Sequence, residues 1–404
     1  MMTLRLAFRN LLRQKRRTIF TGLSMLVGFV MGCFFIGWAD GTYNHIIDSF
    51  TRQRLGHIQI HKQGYLGKPS LYKTIDNPER VGKILDTVGH IDSWAPRLFS
   101  AGLVSAGEKS AGVQVIGIDT EREERTTNIS NKIVEGNYFD NRIRGVILGK
   151  DLARNLHAGV RDSVVILSQA ADGSIANARY PVTGLIDTGN PGLNRSAFYL
   201  PLEYAQELFV LEGKVHEIAV NAANLNYIEK VAKELKSRLS GTGLHVADWK
   251  EFAHEFYVAM SADKGGMYVM LVIVVIIVAI TVLNTILMSV LERQKEYGVL
   301  KAIGTRPGSL VRMVLIETAL LAGACILLGS VIGYFMNLYF AEYGLKLANP
   351  IEWGGVQIKY MKGEVNFKSF YLPTITVLVT ALLVCFFPAL RAARTEPAKT
   401  MRTF

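Results

Sequence analysis

Between Met267 and Leu291 the chain carries no charged side chain. At about 1.5 Å of helical rise per residue, a run of this length exceeds a hydrocarbon layer roughly 30 Å thick, so it can cross a bilayer as one helix. Val269, the run Leu271 to Val278, and Ile280, Val282, Leu283, Ile286 and Leu287 each favour insertion by about 0.3–0.6 kcal/mol, which outweighs the lone amide of Asn284. The run then stops abruptly in Glu292-Arg293-Gln294-Lys295-Glu296-Tyr297-Gly298-Val299-Leu300-Lys301-Ala302-Ile303-Gly304. This piece has a helical pattern, both signs of charge, and a closing turn, Gly304-Thr305-Arg306-Pro307-Gly308. It is expected in water at the membrane face, where another protein can grip it.

Three more apolar runs share the chain. Residues 18–39, 313–340 and 371–390 join 267–291 as expected transmembrane helices. The first run follows a basic amphipathic segment, 1–17, in which Leu4, Leu6, Ala7, Leu11 and Leu12 alternate with arginines and lysines at near-helical spacing. A secretory leader has the same basic start, but the apolar run is too long and no small-residue cleavage site closes it. Gly28 and Gly32 are four residues apart, as are Gly329 and Gly333, a spacing that lets helices approach closely; scattered small residues of membrane helices would read the same way. Cys33, Cys325 and Cys385 all fall inside apolar runs, so no disulfide framework is implied.

The formal charge of +11 invites a nucleic-acid reading. The basic residues crowd beside the spans instead of forming a stripe with exposed aromatics, so a nucleic-acid partner is not expected. Lys and Arg gather before the first span, in 292–312, and in 391–404. By the positive-inside rule both termini and the 292–312 coupling segment are cytoplasmic, and 40–266 and 341–370 lie outside.

Residues 40–266 contain no run that can span, and read as a water-soluble domain entered through a helical stalk reaching about Arg54. His57–His61, Val113–Ile116, Val146–Leu148, Val164–Leu167 and Ile218–Val220 alternate as strands, while Asn77–Val88, Tyr204–Leu211 and Asn226–Leu239 have helical periodicity. The expected fold is therefore a four-helix membrane protein with a large α+β extracytoplasmic domain between spans one and two. In 341–370, Val356, Ile358 and Tyr360 before Gly363, with Val365 and Phe367 after it, suggest a small hairpin.

Little in the chain points to catalysis. The closest approach to a phosphate loop, Gly102-Leu103-Val104-Ser105-Ala106-Gly107-Glu108-Lys109-Ser110, has an extra Glu108 where phosphates would sit, so nucleotide must be bound by another chain. His57 and His61 lie about 13 Å apart in a strand, too far for one metal ion, and no metal site is expected. His90, His157, His216, His245 and His254 are scattered among surface-like sequence. Glu317 needs a partner if buried, such as Arg312 or a residue of the coupling segment.

Asn284 through Gly304, the later Glu317, and Phe387-Pro388-Ala389-Leu390-Arg391-Ala392-Ala393-Arg394 with Glu396-Pro397 resemble the permeases of the FtsX/MacB superfamily of ABC transporters. Within it, length and order are most similar to the lipoprotein-releasing permeases of the Lol type, though the outer segment between spans three and four is longer than that pattern leads one to expect. The outer stretches Glu135-Gly136-Asn137-Tyr138-Phe139 and Val146–Ala153 share the likeness, with a MacB-like periplasmic core domain between spans one and two. The resemblance implies a non-catalytic permease subunit in the bacterial inner membrane. Its partners would be a separate ABC ATPase dimer holding ATP and Mg, a second permease in a homo- or heterodimer, a lipoprotein substrate and a periplasmic carrier. Coupling roles fall on Glu292, Arg293, Glu296, Gly298, Lys301, Ala302 and Gly304. Acyl chains taken from the outer leaflet would meet Phe34, Phe35, Trp38, Met267, Tyr268 and Met270, positions that ordinary lipid-facing residues would also fill. Two other tasks fit the same family: a mechanotransmission efflux permease driving a periplasmic adaptor, and a signalling scaffold that activates a cell-wall hydrolase.

Overall fold

A computed structural model describes residues 15–139, 144–353 and 356–394. The amphipathic segment expected over 1–17 therefore lies outside the described residues except at its last three positions, and so does 395–404 of the basic tail. The chain divides into two compact units, one of residues 1–43, 260–346 and 360–404, the other of 44–259 and 347–359.

Among the described residues, four helices are long and apolar enough to cross a membrane. They run Lys15–Phe50, His254–Glu292, Pro307–Glu342 and Lys368–Ala393. The second is rich in valine and isoleucine, which favour strands in water. In hydrocarbon a lone strand would leave its backbone groups unpaired, so the same residues form a helix. Each helix outruns its uncharged stretch, and the third begins at Pro307, ahead of the expected 313.

Inside this unit, the helices meet where side chains are smallest. A Cβ on Gly28 would lie 2.5 Å from Val278 of the second span, and one on Gly32 would lie 3.3 Å from Pro373 of the fourth. Gly329 and Gly333 both face the first span, with a Cβ 2.5 Å from the Phe29 ring and 3.0 Å from Cys33 respectively. The two glycine pairs therefore serve three different contacts. Asn337, buried, donates from Nδ2 to the Cys33 carbonyl at 3.1 Å, while its Oδ1 is buried without a hydrogen-bond partner among the described residues.

The hairpin expected around Gly363 lies elsewhere. Its strands are Leu345–Trp353 and Val356–Met361, which form their own two-stranded sheet. Gly363 instead ties the helix ends together: its N–H donates to Phe340 O at 3.0 Å, and the Glu364 N–H donates to Gly37 O at 2.9 Å. A Cβ on Gly41 would fall 2.3 Å from the Gly363 backbone, so the close approach, and not a hairpin turn, explains both glycines.

The other unit is built on one ten-stranded sheet. Its strands, with a separate short pair, are β1 (Ile58–Lys62), β2 (Ile75–Asp76), β3 (Ile91–Ala106), β4 (Lys109–Ile118), β5 (Ile133–Gly136), β6 (Val146–Gly149), β7 (Ser163–Gln169), β8 (Ile175–Ile186), β9 (Ala197–Pro201), β10 (Lys214–Val215), β11 (Glu217–Ala222) and β12 (Leu244–Asp248). Strand β3 pairs with β4 and β7, β7 with β8, β8 with β6, β6 with β9, and β9 with β4, which closes a ring of six strands without a free edge. Leu98, Val104, Val115, Leu148, Ile166 and Phe198 fill one core of this unit. The first half of β3 also pairs with β11, which carries β1 and then β12 outward. His216 is not a surface residue. It is fully buried, accepting from Phe99 N–H at 3.0 Å on Nδ1 and facing the Leu71 carbonyl at 3.1 Å through Nε2.

Candidate functional site

The charged segment after the second span folds as a short helix, Gln294–Ala302, set off by a corner at each end. At the first corner, Arg293 leaves helical geometry at φ −98°, ψ 12°. At the second, Gly304 adopts φ +96°, a conformation that side chains with a Cβ rarely take. The Gly304 N–H donates to Lys301 O and the Thr305 N–H to Leu300 O, each at 3.0 Å, the paired bonds of a Schellman stop. Arg306 is extended ahead of Pro307, as a residue before proline prefers, and the proline opens the third span.

Three anchors fix this helix to the bundle. Arg293, buried, places Nε 2.9 Å from Glu296 and Nη1 3.2 Å from Glu317 on the third span. Its guanidinium also sits 5.3 Å above the centre of the Tyr297 ring. Tyr297 is fully buried and belongs to the same apolar cluster as Met25, Val290, Leu310, Met313 and Ala389, which come from spans one to four. Lys301 donates from Nζ to the Ala393 carbonyl at 2.9 Å, at the end of the fourth span.

The opposite face is open. Glu292, Lys295, Glu296, Ala302 and Gly304 are exposed, and with them Val299 at 50% and Ile303 at 75%. The expected coupling residues thus separate into two sets. Arg293, Gly298 and Lys301 turn inward and hold the helix, while Glu292, Glu296, Ala302 and Gly304 lie on its exposed side. Val299, Ile303 and the anchor Tyr297 were not singled out from the sequence. Helical spacing of 292, 296, 299 and 303 was the signal for the outward stripe.

At the other end of the bundle, Asp40 of the first helix joins spans two and four. Its carboxylate lies 2.9 Å from Lys264 Nζ and 3.3 Å from Lys368 Nζ, and Lys368 also donates to the Tyr268 hydroxyl at 2.9 Å. Tyr43 donates to Asp263 nearby. Beside this cluster is a cavity of about 70 Å³ lined by Phe35, Met267, Tyr268 and Met270 together with Ile36 and Leu271. Four of the six expected acyl contacts therefore share one wall. Phe34 and Trp38 do not; they stack on each other at 5.6 Å, and Phe34 meets Phe340 at 5.1 Å. The sequence clue to the cluster was a first acidic residue just past an uncharged run, with a lysine at the matching end of two other spans.

Comparison with known families matches residues 268–397 to the FtsX-like permease C-terminal family and residues 18–238 to the MacB-like periplasmic core domain family. Among curated proteins, the lipoprotein-releasing system transmembrane protein LolC of Xylella fastidiosa (strain 9a5c) is 26% identical over 76% of this chain and 77% of its own length. The corresponding LolE of Haemophilus influenzae is 24% identical, covering 86% of each chain. An uncharacterized ABC transporter permease of Methanocaldococcus jannaschii is 24% identical over 98% of this chain and 96% of its own. Of solved structures, the periplasmic region of MacB from Actinobacillus actinomycetemcomitans aligns with 47% of this chain and 87% of its own, at 15% identity and a TM-score of 0.36.

Proposed function

This chain belongs to the FtsX-like permeases with a MacB-like core domain, a family of ABC transporter permeases, and from that we propose that it releases lipoproteins from the outer leaflet of the bacterial inner membrane. A separate ATPase dimer, holding ATP and Mg, binds the exposed side of the Gln294–Ala302 helix, and this chain contributes no nucleotide chemistry. A second permease, identical or related, completes the transporter. In this reading the short helix and both termini are cytoplasmic and the globular unit is periplasmic, as the distribution of Lys and Arg supports.

One observation carries the proposal: the short helix is solvent-open on one side and clamped on the other. Arg293–Glu317 and Lys301–Ala393 tie it to spans three and four, so a push on Val299 and Ile303 is passed to the bundle instead of bending a loop. Lipoprotein release draws further support from the relatives that bear that name and from the apolar wall of Phe35, Met267, Tyr268 and Met270. The test is a photo-crosslinker at Met270 in native membranes. Capture of a triacylated protein, lost when the partner ATPase is driven through turnover, is expected; capture of phospholipid alone in both states contradicts the cargo assignment.

A further inference from the structure

The globular unit holds a second, unrelated cavity of about 310 Å³, room for about ten waters. Its charged lining is Arg54, Arg97, Lys132, Glu123 and Glu217, and these groups do not balance. Arg97 engages both carboxylates, with Nε and Nη2 on Glu123 at 2.9 and 2.7 Å and Nη1 on Glu217 at 3.0 Å. Thr127 supplies a further donor to Glu123 at 3.0 Å. The two acids are thus committed to one arginine.

Arg54 and Lys132 are left without a carboxylate contact among the described residues. The Arg54 Nε is buried with no hydrogen-bond partner among the described residues, and its guanidinium lies 5.2 Å from the centre of the Phe50 ring. Lys132 donates to the Gln53 carbonyl, next to Arg54 in the chain, which uses one of its three N–H donors. Burial pulls its amine down to about 8, with the neighbouring Arg97 and Arg54 adding to the fall and the charges of Glu123 and Glu124 opposing it. Unpaired buried donors are costly in a finished fold, and a group left so calls for an explanation. The remaining wall is mixed: Phe99, Ile116, Ile118, Ile129 and Ile186 form its apolar part, and Gln53, Gln114, Thr188 and Tyr199 add polar groups.

We propose that this cavity binds a small phosphate monoester with an apolar body, its dianionic head on Arg54 and Lys132 and its body against Ile116, Ile118 and Ile186. The five groups carry one net positive charge when both acids are ionised, and approach two where burial keeps the proton on Glu217, so an anionic head is favoured, and arginine's fork suits phosphate oxygens. The lining residues all belong to the 44–259 unit and none is part of the candidate functional site, so the proposal stands whether or not the transported cargo is a lipoprotein.

The probe is n-hexyl phosphate, titrated calorimetrically into the full-length chain in zwitterionic nanodiscs with empty nanodiscs subtracted. Saturable binding at least tenfold tighter than that of inorganic phosphate is expected, weakened at least tenfold by Arg54→Gln or Lys132→Gln and largely kept by Arg54→Lys. Ile186→Glu should remove the preference for the hexyl chain. Absence of saturable binding, equal affinity for inorganic phosphate, or an Arg54→Gln variant that binds as well as the parent overturns the proposal.

Discussion

The Arg293 guanidinium lies 3.2 Å from the Glu317 carboxylate, with 7% and 16% of the two side chains exposed, and so joins the short helix to the third span through an ion pair largely shut off from water. Removing one partner leaves the other charge buried, which costs about 3–5 kcal/mol where pairs are fully enclosed and less where water can reach in. Arg293→Ala is therefore expected to lower the thermal midpoint of the purified permease and to separate ATP hydrolysis from release in proteoliposomes. The swap Arg293→Glu with Glu317→Arg should recover part of both. Unchanged coupling in the Ala variant would remove the brace from the account.

Val299 and Ile303 make no demand on the fold, being on the open side of the helix. Substituting either by Asp should shift stability by no more than about 0.5 kcal/mol, as for ordinary surface positions. At a binding centre the same change costs about 2 kcal/mol or more, so affinity for the ATPase should fall roughly thirtyfold. Surface titration of the ATPase onto immobilised permease measures this, and a loss of stability equal to the loss of affinity would argue for a structural role instead.

Gly304 sits at φ +96°, with open space where a Cβ would go, so strain is purely of the backbone. Gly304→Ala should destabilise by about 1–2 kcal/mol and loosen the corner before Pro307. Hydrogen exchange at the Thr305 amide, which donates to Leu300 O, reports the change directly.

Gly28 faces Val278 so closely that a methyl group would sit 2.5 Å from it. Gly28→Ala is expected to cost about 1–3 kcal/mol by overpacking. Adding Val278→Ala should restore most of the loss, a rescue that a general effect on helix propensity cannot produce. Thermal midpoints of the two single variants and the pair decide between these.

Glu217 provides a pH signature in the globular unit. Burial raises its carboxyl to about 7 against the pull of Arg97, whereas in the unfolded chain it titrates near 4.5. The folded state therefore holds this proton more tightly, and the contribution to stability is fully present below about 4.5 and declines as pH rises toward 7. Arg97, Glu123 and the His61 ring, 3.7 Å away, face the same carboxylate. His61 acts in the opposite sense, since burial lowers it to about 4 and its contribution grows as pH rises toward 6.5. Subtracting the profile of Glu217→Gln isolates the acid: the parent should lose stability relative to the variant between pH 4.5 and 7, and a flat difference would refute the buried-acid assignment.

How much of this was readable beforehand follows from the range of each interaction. The spans are written locally, as uncharged length, and the short helix and its terminating glycine are written as spacing. Which side of that helix is buried depends on Glu317 and Ala393, 24 and 92 residues away, so Arg293 and Lys301 could not be told from Glu292 and Glu296. Strand β3 escaped notice because its burial alternates only in part along Ile91–Ala106: it pairs with β11 over one half and β7 over the other, and Pro96 and Gly102 interrupt the pattern. The hairpin was misplaced because Gly363 looks like a turn glycine, yet serves a contact with Gly41 across more than three hundred residues. His216 reads as polar, and only the carbonyl of Leu71 and the amide of Phe99 make it a core residue.

In the proposed transporter the ATPase takes hold at the short helix. A photo-reactive amino acid at Ile303, and separately at Ile175 on the globular unit, tests this in whole membranes containing the partner ATPase. Both side chains are well exposed, at 75% and 77%. Crosslinks to the ATPase from Ile303 and none from Ile175 are predicted; capture of the ATPase from Ile175, with none from Ile303, would contradict the claim that force enters through the short helix.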